Sequence, residues 1–216
     1  MRLRTVGPSL GALASRGSLV LDLGGYDGSI STAIDGMVDR VVVVDLDSDG
    51  LGKAQALGAA ATLGSATAIP LASGSVDVAL SLDLLTCLDP ADGALVYAEL
   101  HRVLRTGGHL LVTEVEDRFK LPFVDNEVAY ARWRVRTEGF SDARLADLLR
   151  VGGFDVVEHT KFYGTLTRFA YTVLFFWGWP RRASRLKPRV LGALAGLERH
   201  WCPGAPANFV VARARA

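Results

Sequence analysis

Cysteine is scarce: Cys87 and Cys202 are the only two in 216 residues. That excludes a disulfide framework and fits a reducing compartment. No C-x-x-C pair and no Cys/His cluster at zinc spacing occurs, so metal independence is expected. Long apolar runs are also missing. The longest, Phe169–Trp179, has about half the ~20 residues that a membrane-spanning helix needs. The amino-terminal stretch opens with Arg2 and Arg4 but is broken by Gly7, Pro8, Gly11 and Arg16. It lacks the uninterrupted apolar segment of an export signal, so a cytoplasmic location is the default expectation. There is no internal repeat, no low-complexity tract and no collagen-like period among the 23 glycines and 8 prolines.

What is present describes an ordinary globular chain. Half the residues are hydrophobic and 22% are charged, which excludes wholesale disorder. The length fits one domain over 1–216 with a core large enough to need no covalent staple. The net charge of +1 conceals an asymmetry. Residues 1–160 hold 14 Lys/Arg against 22 Asp/Glu, a balance of −8; residues 161–216 hold 10 against Glu198 alone, a balance of +9. The basic segment either contacts an anionic partner or forms a solvated face or one packed on the acidic body.

Strand-like and helix-like segments alternate. Ser18–Leu23, Arg40–Asp45, Ala60–Gly64, Ser75–Leu82 and Gly108–Val115 read as strands, several of them apolar throughout. Gly28–Gly36, Ser48–Leu57 and Asp89–Leu104 read as helices. Asp47 or Ser48 caps the second, and the third stops before Thr106-Gly107-Gly108. Ser141–Arg150, capped by Ser141, leads through Gly152-Gly153 to a strand at Phe154–Phe162, and Asn208–Arg213 is the last strand. This order predicts an α/β fold whose mostly parallel sheet is covered by helices on both faces. Residues 164–205 are too many for a simple loop and read as an inserted helical piece before the last strand. Within it, Phe169–Trp179 is followed by five cations in Arg181–Arg189. An apolar anchor beside a basic cluster suits a substrate lid, a dimer interface, or a peripheral membrane or anionic contact through 169–189. A helix packing its aromatics on the sheet is the plainer alternative. Nucleic acid is not expected, because the body is acidic.

The chemistry concentrates at Val20–Gly28. A buried strand carries an acidic residue, Asp22, near its end, and the glycine-rich turn Gly24-Gly25-Tyr26-Asp27-Gly28 opens a helix. Such a turn brings backbone close to a ligand, and open α/β sheets bind ligands at the carboxyl ends of their strands. A pyrophosphate site wants G-x-G-x-x-G and no carboxylates beside the phosphates, so a nicotinamide dinucleotide fits poorly. Asp22 and Asp27 suit a ligand with a cationic end. Asp45 closes the second strand, where a carboxylate accepts ribose hydroxyls.

The turn resembles motif I, acid-x-Gly-x-Gly-x-Gly, of the class I S-adenosylmethionine-dependent methyltransferases. Asp22, Gly24 and Gly28 match it, and Tyr26 stands where the middle glycine is usual. Two further stretches are similar to that family. Gly64–Leu71 with Gly74–Ser81 resembles its G-D-A-x-x-L-P-F … G-S-F-D-V-V-x-S, with Ser65 in place of the adenine-binding acid. Glu99–Gly108 resembles its E-x-x-R-V-L-K-P-G-G. Residues 137–162 also match, and the quinone-biosynthesis type is nearest in pattern. The resemblance implies a Rossmann-like seven-stranded sheet of order 3-2-1-4-5-7-6 with the last strand antiparallel.

It implies S-adenosyl-L-methionine as cofactor. Asp22, Gly24, Gly25, Tyr26 and Gly28 would hold its methionine end, Asp45 and Leu46 its ribose and adenine, and Ser65 and Ala66 its adenine edge, with Ser81 a further cofactor-binding residue. Asp83 and Glu114, at the ends of the fourth and fifth strands, would face the cleft as candidate general bases, or else cap helices or loop backbone. The histidine that many relatives carry near Thr86 and Cys87 is missing; Cys87 is expected to be a buried filler and His101 a surface residue. The implied activity is metal-independent methyl transfer by in-line displacement to the O, N or C of a small-molecule or lipid-like acceptor, in a pocket shaped by 117–140 and 164–205. A homodimer is compatible with it. The alternative is a non-catalytic binding or scaffold protein of the same fold.

Overall fold

The computed structural model describes residues 2–34, 36–116, 139–162, 193 and 207–216. Helix α1 (Arg2–Leu13) precedes β1 (Leu19–Leu23), α2 (Ser29–Ala33), β2 (Arg40–Asp45), α3 (Ser48–Ala56), β3 (Ala60–Leu63) and β4 (Val76–Leu82). Then follow α4 (Gly93–Val103), β5 (Leu104–Val115), α5 (Asp142–Val151), β6 (Phe154–Phe162) and β7 (Ala207–Ala214). The seven strands form one sheet of order β3-β2-β1-β4-β5-β7-β6. β1 to β5 run parallel, while β7 pairs antiparallel with both β5 and β6. The strand order and the antiparallel β7 are those expected.

The sheet is buried on two faces, which explains its nearly continuous apolar strands. Leu21, Leu23, Ala79, Leu110, Val112, Val210 and Ala212 share a core with Val96, Tyr97, Leu100 and Val103 of α4 and Leu145 and Leu149 of α5. The α4 residues recur every three to four positions and so form one stripe. Each such side chain contributes about 1.5–3 kcal/mol by leaving water. On the other face Val20, Val78, Leu80, Leu111, Phe209 and Val211 meet Val6 and Leu10 of α1. Val43 packs there on Leu51 and Ala54 of α3.

Local signals explain the element ends. The Asp47 carboxylate caps α3 by accepting from the Gly50 N–H at 2.8 Å. Ser141 caps α5 through the Arg144 N–H. Asp89 caps a single 3-10 turn, Pro90–Asp92, so α4 itself starts at Gly93 and not at Asp89. The helix after the glycine turn is only Ser29–Ala33, shorter than expected. β5 starts at Leu104 and not at Gly108, because Leu104 pairs with Val76 across an irregularity before the regular register resumes at Val78 and His109. α1 was not expected: Pro8 lies inside it and, among its described side chains, only Val6 and Leu10 are core residues, so its apolar signal is thin. The inserted piece at 164–205 lies outside the described residues, apart from residue 193 in a helix.

Candidate active site

The chain leaves β1 toward β2 and β3 and later returns to place β4 on the other side of β1. The reversal of strand order opens a crevice at the carboxyl ends of β1 and β4, where open α/β sheets bind ligands. Asp22, Asp45, Ser81 and Glu114 all stand at or near such strand ends.

Asp22 is 2% exposed, and its Oδ2 accepts a 2.8 Å hydrogen bond from the Ser31 hydroxyl of α2. A buried carboxylate is costly without such donors. The turn after it is tied to the sheet through Gly24 N–H to the Val44 carbonyl, 2.7 Å. Gly24 and Gly28 have φ of +73° and +66°, the left-handed region. A Cβ on Gly25 would come within 2.6 Å of the Asp22 carboxylate and 2.9 Å of Val43, so only glycine lets the turn close over that acid.

Tyr26 has φ of +48°. It therefore reproduces the backbone shape that glycine adopts easily, at a cost of roughly 1–2 kcal/mol. Its N–H donates to Asp45 Oδ2 at 2.9 Å. Its ring turns toward α3, where a Cβ on Gly50 would stand 2.5 Å from it. Lys53 Nζ donates to the Tyr26 hydroxyl at 3.3 Å and lies 5.3 Å from the ring centroid. Tyr26 thus lies on the Asp45 side of the turn. The other Asp45 oxygen accepts from Asp47 N–H at 2.8 Å, so the carboxylate joins the glycine turn to the start of α3. Leu46 beside it is 66% exposed, an apolar surface at the edge of the crevice.

Ser65 belongs to a tight turn. Its Oγ accepts from Thr67 N–H at 3.2 Å and shares a 2.8 Å hydrogen bond with the Thr67 hydroxyl, and its carbonyl accepts from Ala68 N–H. Ala66 is buried. Ser81 Oγ is buried at the end of β4 with no hydrogen-bond partner among the described residues. Asp83 follows with φ of +58°, its N–H bonded to the Thr113 carbonyl and its Oδ1 accepting from the Thr113 hydroxyl at 3.1 Å. It is half-buried at the crevice.

Of the two readings of Glu114, cleft carboxylate or partner of loop backbone, the geometry has the second: it is fully buried, and its Oε1 accepts from Leu85 N–H at 2.8 Å, which fastens the loop after β4. Nearby, burial and then the Glu114 charge push the Tyr97 hydroxyl well above its ordinary pKa. Cys87 is exposed and not a buried filler, because its single 3-10 turn, Leu85–Cys87, lies over the strand ends. His101 is half-buried and not a surface residue: its ring meets Phe154 edge-on at 5.6 Å. Sequence reasoning missed Ser31, the hydroxyl partner of Asp22; a polar residue on the first turn of the helix after a glycine turn is the signal that could have found it.

These residues fit S-adenosylmethionine. The glycine turn leaves no room for a Cβ over a buried carboxylate, Asp45 offers acceptor oxygens beside an exposed leucine, and Ser81 presents a buried hydroxyl without a partner among the described residues. Among the described residues no group of three or more His, Cys, Asp or Glu is placed to hold a metal ion. No helix among them is long and apolar enough to cross a membrane.

Residues 21–112 match the family model described as methyltransferase domain. No curated protein matches the chain. Solved structures of similar fold include a SAM-dependent methyltransferase from Methanosarcina mazei, 15% identical with a TM-score of 0.66, covering 96% of this chain and 97% of that one. Another from Mesorhizobium loti is 17% identical with a TM-score of 0.63, covering 95% and 96%. A third from Archaeoglobus fulgidus is 15% identical with a TM-score of 0.65, covering 98% and 91%. The methyltransferase-domain match over residues 21–112 and the strand order give the chain the fold of the class I S-adenosylmethionine-dependent methyltransferases, with the glycine turn between Asp22 and Asp45 inside the matched stretch.

Proposed function

We propose that the chain methylates the O, N or C atom of a small-molecule or lipid-like acceptor without a metal ion. One observation carries this reading. β5 ends at Val115 and the described chain resumes at Gly139; β6 ends at Phe162 and it resumes at Ala207. Val115 pairs with Ala207 and Ala207 with Phe162, and Phe140 N–H bonds the Val115 carbonyl at 2.8 Å. The roots of both long connections therefore gather at the carboxyl edge of β5, the edge that carries the cofactor residues. That edge is read as the place where an acceptor of modest size meets the cofactor. The lid, dimer and membrane readings of 164–205 and 169–189 lie outside the described residues.

S-adenosylmethionine supplies an electrophilic methyl group on a sulfonium. Asp22 and Gly24–Gly28 hold the methionine end, with Tyr26 acting through its backbone and its contact with α3. Asp45 and Leu46 hold ribose and adenine, Ser65 and Ala66 shape the adenine edge, and Ser81 lines the floor. Asp83, half-buried at the end of β4, is assigned the removal or orientation of the acceptor's proton. Glu114 serves by positioning the loop at Leu85. The remaining task is alignment of the acceptor for in-line attack and exclusion of water.

The test is transfer of labelled methyl from S-adenosylmethionine to a panel of phenols, amines, quinols and long-chain acids, with and without a chelator. The expected result is transfer to at least one of them, unaffected by chelation and reduced roughly 10²-fold or more in Asp83→Asn. Cofactor binding with no transfer to any member, and transfer to protein or nucleic acid instead, would overturn the reading.

A further inference from the structure

Glu99 and Arg102 lie one turn apart on α4, about thirty residues after the loop between β3 and β4, yet they grip that loop. The two form a bidentate pair: Arg102 Nε to Glu99 Oε1 at 2.7 Å and Arg102 Nη2 to Glu99 Oε2 at 2.8 Å. Glu99 Oε2 also accepts from Ile69 N–H at 2.8 Å. Arg102 donates to the Ile69 carbonyl at 2.8 Å, the Leu71 carbonyl at 2.9 Å and the Ser73 hydroxyl at 3.3 Å. Its own carbonyl accepts from Gly74 N–H at 2.9 Å. A planar guanidinium reaches two carbonyls and a carboxylate at once in a way that a lysine does not.

The gripped loop is fastened at its other end to the ribose residue. Gly64 N–H donates to the Asp45 carbonyl at 3.0 Å. A Cβ on Gly64 would stand 2.5 Å from Pro70, so the two ends of the loop close on each other. Ser65 and Ala68 form a bridge across the turn. Residues 65–68 are thus held between Asp45 in front and Arg102 behind, while buried Ile69 anchors the loop in the core beside Leu100 and Val103. We propose that the Glu99–Arg102 pair is a positioning device that sets the adenine edge at Ser65-Ala66 against the ribose carboxylate, and so governs discrimination for the 6-amino group of the adenine. This rests on the cofactor reading given above.

The experiment is calorimetric binding of two ligands, S-adenosylhomocysteine and S-inosylhomocysteine, which differ at the 6-position of the base. It uses wild type, Arg102→Met, Arg102→Lys and Glu99→Gln, with melting temperatures recorded for each. Wild type is expected to prefer the adenosine ligand. Arg102→Met is expected to weaken that ligand by about tenfold, the loss of one hydrogen bond to the 6-amino group as the adenine edge shifts, and the inosine ligand by less than about threefold. Arg102→Lys should fall between them, since it retains the charge and reaches one carbonyl. Glu99→Gln keeps the shape of the pair, so it reports on the same preference should Arg102→Met unfold.

Equal weakening of both ligands in the folded variants marks a merely structural pair and overturns the proposal. So does an unchanged preference. Wild type that binds neither ligand overturns the cofactor reading beneath it, a failure visible before any substitution is made.

Discussion

Gly28 separates two physical terms that are usually mixed. Its φ of +66° lies where a side chain costs roughly 1–2 kcal/mol. A Cβ there would also stand 2.8 Å from Ala54 Cβ and 3.3 Å from Ala54 Cα. Alanine has no flexible end to swing aside, so relief requires moving α3 against the turn; overpacking of this kind costs typically about 1–3 kcal/mol. Gly28→Ala is expected to destabilise the fold by about 2–5 kcal/mol. Gly36→Ala is the control: φ is +84°, but nothing lies within 4 Å of its Cβ, so strain acts alone. Urea denaturation measures both. For a chain of this size each kcal/mol lowers the melting temperature by roughly 2–4 °C, so the two variants should differ by several degrees. Equal losses in the two would refute the claim that the turn and α3 are sterically locked.

Two further outcomes follow from the same geometry. Because Tyr26 contributes its left-handed backbone and a ring against α3, Tyr26→Gly should leave S-adenosylhomocysteine affinity within about threefold of wild type, whereas Tyr26→Val, branched at a positive φ, should melt lower by several degrees; calorimetry and thermal scans distinguish them, and a large affinity loss in Tyr26→Gly would assign the ring to the ligand. The Arg102 guanidinium holds the Glu99 carboxyl below its ordinary range. A depressed carboxylate stabilises the fold above its unfolded pKa, and that contribution is lost as pH falls through the folded pKa. The stability gap between wild type and Glu99→Gln, measured by urea denaturation, should therefore hold from neutrality down to the ordinary glutamate range and narrow below it, as pH falls through the depressed Glu99 pKa; a gap that holds or widens there would contradict the pairing.

Much of this was legible in the sequence because its physics is local. Arg40–Asp45 is a strand because β-branched residues fill both faces, and Asp47 and Ser141 cap helices that begin where their hydroxyl or carboxylate meets the next turn. The glycine turn and Asp45 announce a ligand edge by spacing alone. What was not legible depends on partners distant in the chain. Glu99–Arg102 is recognisable as a pattern, but its task appears only when Ile69 and Leu71 arrive beside it. Glu114 looks like a cleft carboxylate until Leu85 folds over it. His101 looks solvated until Phe154, at the start of β6, packs against its ring. α1 escaped notice because two buried side chains, Val6 and Leu10, are too few to set a period.

The central claim is that Asp22, the glycine turn and Asp45 hold S-adenosylmethionine. Titration calorimetry of S-adenosylmethionine and S-adenosylhomocysteine, with NAD as the competing dinucleotide, tests it most directly on wild type and Asp45→Ala. The account predicts micromolar binding of both sulfur ligands, none of NAD, and a loss of about tenfold or more in Asp45→Ala as the acceptor for ribose hydroxyls is removed. Binding of NAD alone, or of neither sulfur ligand by folded wild-type protein, would contradict it.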